Sequence, residues 1–91
     1  MATTRSFSGV TQAVWECVKT TSYQKHGTNY VPADGNQGTA TTSTGVGEIV
    51  LNFDYNPTNE TVTYTIVQKP MIITDGEIWM GIQETIDGCQ G

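Results

Sequence analysis

Ninety-one residues are enough for one domain, and residues 1–91 are read as a single small unit with a thin core. Nine acidic side chains against four basic ones give a net charge of −5. Arg5, Lys19, Lys25 and Lys69 form no stripe, which argues against nucleic-acid phosphates and anionic membranes as partners. No apolar run approaches the ~20 residues of a membrane span. Sixteen threonines fill a chain in which only 14% of residues are charged, which favours strands and polar, uncharged surfaces.

Met1 to Ser8 reads as a polar lead-in without the apolar core of a secretory signal. From about Gly9, Val10, Val14, Trp15 and Val18 recur at helical spacing, with Gln12, Glu16 and Lys19 on the other side. A strand would split Val14 and Val18 from Trp15 and Cys17, so the spacing predicts a helix that Gly27 stops. Glu16 and Lys19, three apart, read as a surface ion pair.

Thr28 to Gly38 holds Pro32 and the turn sequence Asp34-Gly35-Asn36-Gln37-Gly38. It either joins short strands at Asn29–Val31 and Thr39–Thr44 or forms an open loop. Glu48 to Tyr55 then alternates, with Ile49, Leu51, Phe53 and Tyr55 on one side. Asn56-Pro57-Thr58-Asn59-Glu60 makes the turn, and Thr61 to Gln68 returns with Val62, Tyr64 and Ile66 on one face. One oily and one polar side on each strand mark a sheet covered on a single face. After Lys69-Pro70, Thr74-x-x-Glu77 fits a capping box, with Ile73 and Ile78 placed as its staple. The helix that follows carries Ile78, Trp79, Ile82 and Ile86 inward and is expected to end at Gly88. Its Ile78-Trp79-x-x-Ile82-x-x-Thr85 echoes Val14-Trp15-x-x-Val18-x-x-Thr21, a convergent pattern of helices that dock on a sheet.

Two cysteines are too few for a disulfide framework and lack metal spacing. Cys17 lies in the first helix and Cys89 just past the second, so they either bridge or remain two half-buried thiols. A bridge would fit a secreted or cell-surface setting, and free thiols a cytoplasmic one.

Catalytic signals are sparse. His26, the sole histidine, belongs to a helix end and has no nucleophile motif around it. Asp34-x-Asn36 lacks the later ligands of a calcium loop, and Gly45 stands where a bidentate Glu is needed. Neither a metal nor a cofactor is expected. Asn59-Glu60-Thr61 matches the N-glycosylation pattern at a turn.

Thr61, Thr63 and Thr65 place hydroxyls about 7 Å apart along the polar sheet face. Trp79 and the outward Met80 offer a second contact patch. The expected fold is α+β, a two-layer domain with a three- to four-stranded, mostly antiparallel sheet and both helices on one face. The expected function is a non-catalytic interaction module for a protein or glycan, with Thr61, Thr63, Thr65, Trp79 and Met80 as its contacts. An acidic antidote to a basic partner is the alternative, marked by clustering of Asp54, Glu60, Glu77 and Glu84. A small hydrolase using carboxylates and His26 is the other, marked by a deep pocket with convergent polar groups.

Overall fold

Period-two alternation builds the centre of the sheet. In the computed structural model, which describes residues 3–90, β4 (Gly47–Asn56) buries Leu51, Phe53 and Tyr55 and exposes Asn52, Asp54 and Asn56. β5 (Thr61–Gln68) buries Val62, Tyr64 and Ile66. The register sets Leu51 against Ile66, Phe53 against Tyr64 and Tyr55 against Val62, so the large side chains pair on one face.

β3 (Gln37–Thr44) and β2 (Asn29–Val31) extend the sheet on one side, so residues 28–45 contain two strands rather than an open loop. Pro32 ends β2, because its nitrogen has no proton for the ladder. Gly38 is required where it stands: a Cβ there would collide with the Val31 backbone. On the other side lies β1 (Thr3–Phe7), antiparallel to β5 with Phe7 opposite Val62. The result is a five-stranded, wholly antiparallel sheet in the order β1-β5-β4-β3-β2.

That count corrects the expectation of three to four strands. The supposed lead-in is a strand over Thr3–Phe7, with Ser8 just past its end; Met1 and Ala2 lie outside the described residues. Its pattern is silent because only Phe7 enters the core, while Thr4, Arg5 and Ser6 are exposed on an edge. Backbone pairing and the hydroxyl bonds of Thr3, Thr4 and Ser6 hold β1 in place, with Phe7 as its one core side chain.

Helix α1 (Gln12–His26) starts at Thr11, whose hydroxyl accepts from Val14 N at 3.2 Å, and ends at Gly27 in the left-handed region at φ 68°. Lys25 and His26 in its last turn complement the helix dipole. Helix α2 (Asp75–Cys89) has the full Thr74/Glu77 capping box. It runs through Gly88 to Cys89, one residue past the expected stop. Cys17 and Cys89 form a disulfide with their Cα atoms 5.8 Å apart, which ties α1 to the last turn of α2. The Gln90 amide adds a bond to Gly9 O at 3.0 Å.

A cluster of aromatic rings lies under the first half of α1. Trp15 is fully buried, stacked on Tyr55 at 5.0 Å between ring centroids and tilted against Phe53 at 5.6 Å. The Tyr55 hydroxyl donates to Val10 O at 2.7 Å, and Val10 N donates to Glu60 O at 2.8 Å, which pins the β1–α1 link to the sheet. Among the described residues no acceptor reaches Trp15 Nε1. An unmet donor of this kind costs about 1–3 kcal/mol, which the burial and stacking of the ring must exceed. Trp79 packs at 6.3 Å from Phe7, on the strand that the sequence pattern hides.

Candidate functional site

The inner stripe of α1 changes character along its length. Val14, Val18, Ser22 and His26 follow one another at four-residue steps, two apolar and then two polar. On α2 the facing positions are Ile78, Gly81, Ile82 and Thr85. Small and polar side chains therefore meet where the second half of α1 passes α2. The sheet below supplies Ala40, Thr42, Ile49 and Leu51. The layers do not close there, and a cleft of about 300 Å³ remains between both helices and the sheet.

Two tyrosines define its polar part. Tyr30 comes from β2 and Tyr64 from β5, with β3 and β4 between them, and their hydroxyls meet at 2.9 Å. Ala40, the register partner of Tyr30, is small enough to leave room over the intervening strand. Burial raises the pKa of both phenols, most strongly that of Tyr64. The neighbouring Tyr30 raises Tyr64 further, and the shared hydrogen bond couples the two phenols. The nearby Ser22 hydroxyl also lowers Tyr30. A second hydroxyl pair, Thr28 with Thr42 at 2.6 Å, lines the same space.

Charge is nearly absent from the lining. None of the four cationic side chains lines the cleft; Glu77 and His26, both exposed, are its only ionisable groups besides the tyrosines. Lys69 bonds Ile73 O at 2.8 Å and lies 3.6 Å from Asp75. The exposed apolar pair Met71 and Ile72 precedes Ile73 at the cleft's edge. A second, more open depression lies beside Lys19 and Tyr23 on the other side of α1. Its one cation, Lys19, is already held by Glu16 at 2.9 Å, as the sequence spacing implied, and by Ala33 O at 2.9 Å. That leaves it no free charge to offer.

The expected contact residues fall in different places. Thr61, Thr63 and Thr65 share the sheet's uncovered face, but their hydroxyls are engaged: Thr65 with Thr4 at 3.0 Å, Thr63 with Ser6 at 2.8 Å, and Thr61 with Asn59 O at 3.1 Å. Met80 is exposed on α2, whereas Trp79 is buried in the core, so the two do not form one surface. Asp54 lies on the uncovered sheet face and Glu77 at the cleft, on opposite sides of the sheet. Among the described residues no group of three His, Cys, Asp or Glu side chains is placed to hold a metal. Among the described residues no helix is long and apolar enough to cross a membrane.

Sequence reasoning missed the tyrosine pair and Ser22. For Ser22 a signal existed, since it occupies the next four-residue step after Val14 and Val18. For Tyr30 none did, because only the strand order brings it to Tyr64. Compared with protein-family models, curated proteins and solved structures, the chain matches none.

Proposed function

We propose that this protein is a non-catalytic binding module and that the cleft between α1, α2 and the sheet takes a small, mostly apolar molecule. The observation that carries this reading is the unfilled space itself. Interiors are normally close-packed, and a chain of this size has little core to forgo. Yet about 300 Å³ stays open where Ser22, Gly81 and Thr85 face one another. An engineered apolar cavity of about 150 Å³ takes up benzene, so this one suits a two-ring compound or a short branched chain.

Binding is favoured over catalysis by how the polar groups are arranged. The tyrosine and threonine hydroxyls bond to each other. Among the described residues no hydrogen bond joins His26 to a hydroxyl that it would have to activate.

Titration calorimetry with naphthalene tests the reading, using the wild type and variants that fill the cleft from either helix, Ser22→Leu and Thr85→Leu. The wild type should bind, and each filled variant should lose at least about tenfold in affinity while keeping its circular dichroism spectrum. No binding by the wild type, or equal binding by both variants, would refute it.

A further inference from the structure

Two phenols in contact use one proton between them. Tyr30 and Tyr64 each carry one O–H, and only one of these can lie along the 2.9 Å line joining their oxygens. The other must point elsewhere. Among the described residues neither hydroxyl makes a further hydrogen bond to a side chain or to the backbone, although the Ser22 hydroxyl lies near Tyr30, and both tyrosines line the cleft. A donor left without an acceptor in an apolar space costs about 1–3 kcal/mol, so that proton calls for an oxygen from outside the fold.

The lining also limits the charge of what enters. It contains no lysine or arginine, and Glu77 at its edge would repel an anion. A carboxylate drawn into this space would be desolvated with no lysine or arginine to pair it, and His26 in the lining is exposed. We infer, resting on the cleft reading above, that the ligand is a neutral, mainly apolar molecule carrying one acceptor oxygen, a ketone or an alcohol, which takes the spare proton of the Tyr30–Tyr64 pair.

The pair acts as a unit. Removing one hydroxyl leaves the other with its proton free for a ligand, so either single variant keeps an anchor. Replacing both by Phe removes the anchor and leaves no unpaired hydroxyl behind, the substitution a fold tolerates best.

Methyl NMR of Ile49, Ile73 and Ile82 during titration with naphthalene, 2-acetylnaphthalene and 2-naphthoate tests the inference in the wild type and in the double variant Tyr30→Phe/Tyr64→Phe. In the wild type the ketone should bind about five- to tenfold more tightly than the hydrocarbon, and the carboxylate weakest of the three. In the double variant the hydrocarbon should bind as before and the ketone's margin should vanish. Equal binding of the three probes, or a margin that survives in the double variant, overturns the oxygen anchor and leaves the cleft as a purely apolar site. Failure of all three to shift the cleft methyls overturns the anchor and the cleft reading together.

Discussion

The same two helices and one sheet make opposite environments along their length. Under the first half of α1, Trp15 packs on Tyr55 and Phe53, and both it and Val10 are fully buried. Under the second half, the stripe that began with Val14 and Val18 continues as Ser22 and His26, and α2 answers with Gly81 and Thr85. The first arrangement holds the fold. The second gives up packing and retains a hydroxyl pair that an apolar core would not need. On the proposed reading, stability and recognition are divided along a single interlayer space, and Tyr30 joins the two ends with its ring 5.7 Å from that of Trp15.

Substitution at the two ends should separate them most clearly. Trp15→Ala removes a fully buried stacked ring and should cost about 3–5 kcal/mol in urea unfolding. Ile82→Ala, half-buried at the cleft, should cost less than about 2 kcal/mol. Equal losses would mean that the cleft end is packed as tightly as the aromatic end. Reduction of Cys17–Cys89, which closes a separation of 72 residues, should cost about 2–5 kcal/mol. Amide exchange should then quicken first in the last turn of α2, and uniform quickening would break that assignment.

Alkaline pH probes the cleft end selectively. Both phenols have folded-state pKa values raised above the ordinary 10.0, so the unfolded chain releases these protons near pH 10 while the fold retains them. Their contribution is full below about pH 10 and is lost above it, with a slope of up to about 1.4 kcal/mol per pH unit for each phenol. Tyr30→Phe/Tyr64→Phe should flatten this slope. Tyr55, raised by burial and then by Glu60, leaves a residual one. An unchanged slope in the double variant would place both phenols in water.

The smallest expected effect is the sharpest in kind. A Cβ at Gly81 or Gly88 meets nothing within 4 Å, so alanine at either should stabilise α2 by about 0.5–1 kcal/mol. Only Gly81 lines the cleft. Gly81→Ala should therefore weaken naphthalene binding, and Gly88→Ala should leave it unchanged.

Much of the scaffold was legible in the sequence, and the reasons are local. The hairpin of β4 and β5 follows from alternation about a Pro-containing turn. The start of α2 follows from its capping box and the end of α1 from Gly27. β1 escaped because four of its five residues are not buried and its stability comes from pairing with β5, which no pattern records. Gly88 failed as a stop because glycine is costly in a helix without being forbidden, and Cys89 anchors the turn beyond it. The cleft was illegible for a different reason. It consists of volume that is missing, and its two tyrosines come from strands that only the completed sheet brings within reach.

A crystal exposed to pressurised xenon tests the central claim most directly, because xenon enters accessible apolar space without needing a hydrogen bond. The account predicts a xenon peak between α1 and α2, in contact with Ile82 and Leu51, and no peak beside Trp15. An empty cleft in such a crystal, with Ser22 and Thr85 packed against one another, would contradict it.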